Sequence, residues 1–239
     1  MKLTFFLDKA FKPNSVKPRD IRNLVVAVLD KNGYKSMIDI VSNKNKTKSL
    51  QSKFIYVKPR PKSFEILCYG FDVEILATIE ELLLHRDIRL SKNNVKVVAC
   101  HWDDETYTIP HKTTSTTTYT TITPIVITIN AIEHKVVYNL YKKDTKEQYH
   151  NWIIQKIKEI ITLQVKEFFT KTINLDDLDI TILEDKKITI SSTSDKKVYN
   201  QAVYMEFSTN YILPRFVGYS NGLGYGEIKA KDEKPKNNF

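Results

Sequence analysis

The sequence predicts an α+β fold, because stretches with the apolar repeat of a helix are interleaved with stretches that alternate as strands do. In the first half of the chain the predicted order is β-α-β-β-α-β, which is the ferredoxin-like pattern. The second half repeats the beginning of this order after a threonine-rich run. A length of 239 residues is sufficient for two such domains.

The first half contains two predicted helices. The first covers residues 18–31, with Pro18 in its first turn and Asn32-Gly33 as its stop signal. Its apolar residues recur at helical spacing: Ile21, Leu24, Val25, Val28 and Leu29. The second helix covers residues 72–86. The segments predicted as strands are residues 2–7, 36–41, 53–58, 63–69 and 94–102.

The middle of the chain is a low-complexity run at residues 113–121, "TTSTTTYTT". Almost every residue in it is β-branched or hydroxylated, so it is predicted as an extended linker, with an edge hairpin as the alternative. This interpretation divides the chain into an N-terminal domain of residues 1–112 and a C-terminal domain of residues 122–230. Residues 231–239 are predicted to form a flexible charged tail.

The second half has one clear helix, predicted over residues 146–169 from its broad apolar face. A second helix, if the fold repeats, must be short and lie near residues 210–217. Asp185-Lys186 is predicted to be a turn between two strands. The predicted strands are residues 122–130, 135–141, 178–184, 187–192, 199–208 and 227–230.

The composition favours a basic protein of the cytoplasm. Lysine and arginine number 37 against 28 acidic residues, which gives a net charge of +9 and an isoelectric point near 9.3. Such a charge attracts nucleic acid, although a merely lysine-rich surface explains it equally well. The two cysteines, Cys68 and Cys100, have neither metal-site nor disulfide spacing. No membrane-spanning segment, metal or cofactor is predicted.

Four of the six glycines fall within residues 216–228, "FVGYSNGLGYGEI". Two phosphate-binding motifs fail there, because G-x-G-x-x-G would need glycine at position 227 or 229 and the Walker A motif would need Gly-Lys-Ser/Thr. Two interpretations remain. The stretch is a glycine-rich hairpin turn, or its backbone N–H groups form a nest that holds an anion.

Three segments carry a family resemblance: "VGYSNGLGYGEIKA" at residues 217–230, "TTITPIVITI" at residues 120–129, and the strand–helix–strand run at residues 63–102. In this order they resemble the Cas6 family of CRISPR repeat-processing endoribonucleases, within the RAMP superfamily. The resemblance covers nearly the whole chain. It implies two tandem ferredoxin-like folds with a C-terminal glycine-rich loop.

The resemblance also implies a chemistry. Such enzymes cut CRISPR repeat RNA without a metal by attack of a ribose 2′-hydroxyl, leaving a 2′,3′-cyclic phosphate and a 5′-hydroxyl. Many relatives use a histidine shortly after the first helix as the base, but residues 29–54 contain none. Tyr34 matches the family's tyrosine by position, and Lys44, Lys46 and Lys48 lie where the histidine and a lysine are expected. The alternative is a RAMP subunit that binds crRNA without cutting it.

The predicted RNA-binding residues lie at the start of the first helix and around the glycine stretch. They are Lys17, Arg19, Arg22, Arg215, Gly222, Gly224, Gly226 and Lys229. Helix N-termini favour phosphate, and each cation is otherwise a solvated surface charge. His111 is the one histidine considered as a substitute base. The expected partners are CRISPR repeat RNA and other Cas effector subunits, with the chain a monomer or a homodimer.

Overall fold

The computed structural model describes residues 1–12, 15–42, 53–69, 72–105, 107–130, 146–169, 172–190, 198–218 and 224–231. The chain divides into two compact units. The first comprises residues 1–107 together with residues 220–224, of which Gly224 is described. The second comprises residues 108–219 and 225–239, so it begins before the predicted boundary at residue 112.

The first unit contains three helices and five strands within its described residues. They are β1 (Lys2–Leu7), α1 (Pro18–Lys31), α2 (Lys35–Ser42), β2 (Phe54–Tyr56), β3 (Ser63–Cys68), α3 (Val73–Leu83), β4 (Asp87–Leu90) and β5 (Asn93–Asp103). The strands form an antiparallel sheet in the order β2-β3-β1-β5-β4. Strands β1, β2, β3 and β5, with α1 after β1 and α3 after β3, make the predicted ferredoxin-like pattern. The short edge strand β4, which pairs with β5, is an addition that the sequence did not predict.

The core of the first unit lies between the helices and one face of this sheet. β1 contributes alternate residues, Leu3, Phe5 and Leu7, as the side-chain period of a strand requires. The ring of Phe5 stacks on Phe64 with 4.9 Å between centroids. α1 and α3 each bury one apolar face in the same cluster, so the periodicity that predicted these helices also fixes their orientation.

The strand predicted at residues 36–41 is wrong, because these residues form α2. A four-residue apolar pattern is compatible with both periods. Ile38 and Val41, three residues apart, are buried as on a helix face, whereas Ile40 is exposed. Five strands were predicted in the first half, one strand more than the ferredoxin-like pattern contains. The assignment of residues 36–41 to a helix removes the extra strand.

The second unit contains one helix and five strands within its described residues. They are β6 (His111–Thr121), β7 (Ile125–Asn130), α4 (Lys146–Phe169), β8 (Ile180–Ile190), β9 (Val198–Ile212) and β10 (Ile228–Ala230). The sheet order is β10-β6-β9-β7, and β8 pairs with β9 along its other edge. α4 confirms the long predicted helix, and it buries an isoleucine-rich face against the sheet.

Three predictions for the second half are wrong. Residues 113–121 are not a linker but most of β6, which pairs with both β9 and β10 and buries Tyr119 and Thr121. Asp185-Lys186 is not a turn, since β8 runs through it. The helix expected near residues 210–217 is absent from the described residues, because β9 continues to Ile212. The strand predicted at residues 135–141 lies outside the described residues, as do residues 191–192 and most of the tail.

Among the described residues, no helix is both long and apolar enough to cross a membrane.

A proline at Thr120 tests whether β6 is a strand. Thr120 is paired with Glu206 of β9 and with Lys229 of β10, so its N–H donates within the sheet. We expect Thr120→Pro to lower the free energy of unfolding by about 1–3 kcal/mol, since it removes a ladder hydrogen bond and leaves the acceptor unpaired. Thr120→Ala keeps the N–H and is the matched control, with an expected cost below about 1 kcal/mol. Calorimetric melting measures both, and a neutral Thr120→Pro would contradict the strand assignment.

Candidate nucleic-acid interface

The described part of the glycine stretch is the base of a hairpin. Residues 215–217 run antiparallel to residues 226–228, with Phe216 opposite Glu227. The N–H of Val217 donates to the carbonyl of Gly226 at 2.8 Å, and the N–H of Ile228 donates to that of Arg215 at 2.8 Å. The hairpin interpretation of this stretch is therefore confirmed at its base. Residues 219–223, which include the predicted site residue Gly222, lie outside the described residues.

Two glycines allow this hairpin to close. Gly226 has a φ of +76°, and a Cβ there would overlap the carbonyl group of Val217. Gly218 has a φ of +124°, and its Cβ would stand 3.1 Å from the backbone nitrogen of Val126. Both positions thus combine a left-handed backbone with close approach of another main chain, which only glycine tolerates without strain.

The hairpin base is hydrogen-bonded to the segment that leads into β7. The N–H of Gly226 donates to the carbonyl of Pro124 at 2.9 Å, and that of Glu227 donates to Thr123 Oγ1 at 2.8 Å. In return, the N–H of Ile122 donates to the carbonyl of Glu227 at 2.7 Å. Two of the three segments that carry the family resemblance are therefore in direct contact. The sequence alone did not reveal this contact.

Arg215 closes the hairpin base through an ion pair with Glu227. Its Nη2 and Nε lie 2.7 and 2.9 Å from Glu227 Oε1. The two side chains are only 28% and 13% exposed, so water screens the pair weakly. The charge of Arg215, which was predicted for RNA, is thus already compensated by a carboxylate. Lys229 of β10 is exposed and belongs to the same sheet.

In the first unit, the start of α1 is strongly positive. Pro18 is the first helical residue, which confirms its predicted place in the first turn, and Lys17 is the N-cap residue. Lys17 and Arg19 are exposed and Arg22 is half-buried. Asp20 accepts a hydrogen bond from the N–H of Lys17 at 2.8 Å and offsets part of this charge. Three cations beside the positive end of a helix dipole form a favourable environment for phosphate.

Gly224 lies against this helix start. Its φ is +73°, and a Cβ there would be 2.6 Å from the carbonyl oxygen of Tyr56 and 3.1 Å from Cγ of Pro18. The structure therefore brings one predicted glycine to the predicted basic helix start. The sequence did not reveal that Gly224 contacts Tyr56, because it indicated only that Tyr56 belongs to a strand.

Tyr56 is a structural member of this site. Its hydroxyl is fully buried and donates to the carbonyl of Val41 at 3.3 Å. Burial raises the pKa of Tyr56 well above its usual value, while the positive charge of Arg22 acts in the opposite direction. A phenol that stays protonated at every physiological pH serves here as a donor and not as a base.

Tyr34, the predicted catalytic tyrosine, lies at the other end of α1. Its N–H donates to Leu29 at 3.0 Å and that of Gly33 donates to Asp30 at 3.1 Å, which together form a Schellman motif. The half-buried Tyr34 also packs on the core, as the residue after such a motif commonly does. The 14 residues of α1 span about 21 Å, so Tyr34 is far from Arg19. Lys44, Lys46 and Lys48 lie outside the described residues.

Three of the described histidines, His101, His111 and His150, each contact a different partner. His150 Nε2 lies 2.9 Å from Asp185 Oδ1 and joins α4 to β8, whereas His101 Nε2 lies 3.3 Å from Asp103 Oδ1. His111, the proposed substitute base, is exposed at the start of β6 with Nδ1 3.1 Å from the carbonyl of Ile109. Within the described ranges, no three His, Cys, Asp or Glu side chains group as a metal site.

Comparison with solved structures identifies the fold. A Cas6b crystal structure has a TM-score of 0.63 at 13% identity and covers 96% of this chain and 100% of its own. The chain has the fold of Cas6 proteins. A Cas6-related protein from Pyrococcus furiosus matches with a TM-score of 0.61 at 13% identity, over 98% and 99% of the two chains. A RAMP protein that binds different RNA substrates has a TM-score of 0.55 at 16% identity, over 96% and 99%.

No protein-family model matches the sequence, and no curated protein does. Because these Cas6 structures share so little sequence identity with the chain, the likeness to them confirms the tandem ferredoxin-like fold and carries no residue roles.

Two alanine substitutions test the demand for glycine at the hairpin base. Gly33 also has a positive φ, of +82°, but its Cβ would meet no atom within 4 Å. We expect Gly33→Ala to cost about 1 kcal/mol from backbone strain alone. Gly226→Ala adds a collision with Val217 and should cost roughly 3 kcal/mol or more. Denaturant unfolding measures both, and equal losses would contradict the close approach at Gly226.

Proposed function

We propose that this protein is a Cas6-like RNA-binding protein that cleaves CRISPR repeat RNA. The single observation that carries the proposal is the basic start of α1, where Lys17, Arg19 and Arg22 lie near a helix N-terminus against which Gly224 packs. It occurs in a chain with the fold of Cas6 structures and a charge of +9. Phosphate contacts of this kind position RNA and supply most of its sequence-independent affinity.

The proposed reaction needs no metal. The 2′-oxygen attacks the adjacent phosphorus while the bond to the 5′-oxygen breaks, which leaves a 2′,3′-cyclic phosphate and a 5′-hydroxyl. A base takes the 2′-proton and an acid protonates the leaving oxygen, and each typically contributes about 10²–10⁴-fold. Tyr34 and one of Lys44, Lys46 and Lys48 are the candidates for these roles. A lysine that keeps its ordinary pKa serves better as a clamp for the phosphorane charge than as a base.

The glycine hairpin is proposed to hold the RNA backbone. Gly222, Gly224 and Gly226 are proposed as the positions where the RNA backbone approaches the stretch closely, because they carry no side chain, and exposed Lys229 adds a cation. The N–H of Gly226 already donates to Pro124 and is not part of this contact. Arg215 contributes indirectly, since its pairing with Glu227 maintains the hairpin base. The proposed setting is the cytoplasm, with CRISPR repeat RNA as partner, other Cas effector subunits as further partners, and either a monomer or a homodimer as the working form.

A specific observation favours a second candidate, a RAMP subunit that binds crRNA without cutting it. Tyr34 has a packing role at the end of α1, and residues 29–54 lack the histidine that many relatives use. Under this alternative the basic helix start binds RNA in the same way, and Tyr34 is structural.

One experiment separates these functions. The protein is incubated in EDTA with repeat RNA from its host's CRISPR array, and with the same RNA carrying a 2′-deoxy nucleotide at the cut site. We expect cleavage of the all-ribose RNA only, with a 2′,3′-cyclic phosphate on the product. Tyr34→Phe should reduce the cleavage rate at least about 10²-fold if Tyr34 is the acid or base.

A binding arm uses the triple variant Lys17→Gln, Arg19→Gln, Arg22→Gln. Loss of three phosphate contacts should reduce the slope of log affinity against log salt by about 2. Tight, salt-sensitive binding without cleavage would support the non-catalytic subunit. Absent or salt-insensitive binding would refute both candidates.

A further inference from the structure

The first unit carries an exposed phenylalanine on the face of its sheet that is opposite the helices. β1 turns Leu3, Phe5 and Leu7 toward the core, so the intervening Phe6 points away from it. Phe6 is 41% exposed, and no other aromatic residue whose burial the structure describes is as exposed. A single exposed apolar residue is common on protein surfaces, so its surroundings decide whether it has a function.

The side chains beside Phe6 are small. Ser63 of β3 and Ala99 of β5 are paired with Phe6 on either side, and paired residues share a face of the sheet. Val98, the extra residue where the register shifts, is itself 41% exposed. Within the described residues, no other aromatic ring stacks on Phe6. The ring is therefore accessible to a planar ligand.

Arg60 lies in the same row across the sheet. The N–H of Arg60 donates to the carbonyl of Ser63 at 2.9 Å, and the N–H of Ser63 donates to that of Arg60 at 3.2 Å. This pairing places Arg60 on the face of Ser63 and Phe6, about 10 Å from Phe6 across two strand spacings. The Arg60 side chain is 72% exposed, and its Nη2 is 3.8 Å from Glu65 Oε1. So long and exposed a contact leaves the guanidinium able to bind another anion.

Four exposed lysines lie in the two segments next to this row. They are Lys9, Lys12, Lys58 and Lys62. Backbone hydrogen bonds join the two segments, since the N–H of Leu7 donates to the carbonyl of Lys62 at 2.9 Å and that of Phe11 donates to Pro61 at 2.9 Å. We call Phe6, Arg60 and these four lysines the Phe6 patch.

The Phe6 patch has an excess of positive charge. Residues 6–12 and 57–65 contain its five cations and only two carboxylates, Asp8 and Glu65. Asp8 Oδ1 accepts a hydrogen bond from the N–H of Lys96 at 2.8 Å. Lys96 and Asp87, which are opposite each other on β5 and β4, add no net charge. An accessible aromatic ring among uncompensated cations is the combination that binds single-stranded nucleic acid.

We propose that the Phe6 patch binds single-stranded RNA, with one base stacked on Phe6 and the adjoining phosphates bound by Arg60 and the lysines. Every base has a face that can stack, so this contact is independent of sequence. A protein partner is disfavoured, because lysine is depleted in protein interfaces. The inference rests on the proposed RNA-binding function and adds a second contact surface to it.

The first test separates stacking from charge. Fluorescence anisotropy measures the affinity for a labelled oligo(U) 20-mer and for an abasic RNA 20-mer of the same charge. We expect Phe6→Ala to weaken oligo(U) binding at least about 5-fold and to leave abasic RNA binding unchanged. Phe6→Tyr keeps the ring and should bind like the unsubstituted protein. Leu183→Ala, which removes an exposed apolar residue of β8, is the control and should change neither affinity.

The second test compares two double variants with the same loss of charge. Arg60→Gln with Lys62→Gln removes two cations of the Phe6 patch, whereas Lys92→Gln with Lys166→Gln removes two exposed lysines elsewhere. Removing two phosphate contacts should reduce the slope of log affinity against log salt by about 1.4 for both RNAs. The control pair should leave the slope nearly unchanged, and so should Phe6→Ala.

Three results would overturn the proposal. The first is oligo(U) binding that does not depend on Phe6, and the second is an equal loss of abasic RNA binding by Phe6→Ala. The third is an equal salt slope in the two double variants. Phe6-dependent binding of phosphatidylserine vesicles, with RNA affinity unchanged by Phe6→Ala, would assign the patch to a membrane surface instead.

The two levels of the proposal fail differently. If the α1 triple variant weakens RNA binding and the Phe6 patch variants do not, the patch is refuted and the proposed function stands. If the unsubstituted protein binds neither RNA, both are refuted.

Discussion

The close approach of two main chains at Gly226 is the constraint on which the C-terminal part of this structure depends. The absence of a side chain allows residues 215–217 and 226–228 to pair, and allows the N–H of Gly226 to reach Pro124. The hydrogen bond from the N–H of Glu227 to Thr123 and the ion pair between Arg215 and Glu227 lie next to this close approach and hold the same hairpin base. Removing one partner of so protected a charged pair leaves a poorly solvated charge, which is destabilising. The hairpin base is therefore a rigid part of the second unit.

In the first unit, the length of α1 separates the two roles that we propose for its ends. Its start concentrates cations at the positive end of the helix dipole, which suits binding of phosphate. Its end is closed by a Schellman motif that uses Gly33 and packs Tyr34 on the core. An RNA strand that reaches both ends has to run along roughly 20 Å of helix. Binding and cleavage can therefore be lost independently, which is why a binding-only protein is a coherent alternative to a nuclease.

Much of the fold was predictable because its signals are local. The helical face of residues 18–31, Pro18 and Gly33 each act within a few residues, and the structure confirms all three. The errors arose where the local pattern fits two structures. Residues 36–41 are apolar at positions that suit a helix or a strand, and only the burial of Ile38 and Val41 in the core decides between them. Residues 113–121 look like a linker until β9 and β10 pair with them.

The site was less predictable, since its contacts join distant residues. The cations at the start of α1 could be found from the sequence, because the position at which this helix begins could itself be predicted. No spacing rule relates Arg215 to Glu227 unless the hairpin is known, and none relates Gly224 to Tyr56. The long-range register of the sheets supplies these neighbours. The RNA-binding and catalytic roles of the individual residues stay predictions.

Amide hydrogen exchange tests the rigid hairpin base most directly. The N–H groups of Val217, Gly226 and Ile228 donate to Gly226, Pro124 and Arg215, so we expect them to exchange as slowly as the amides that join β6 to β9. Arg215→Met should accelerate their exchange without affecting the first unit, whereas Lys229→Met should leave it unchanged. Exchange of these three amides at the rate of an open loop in the unsubstituted protein would contradict the account.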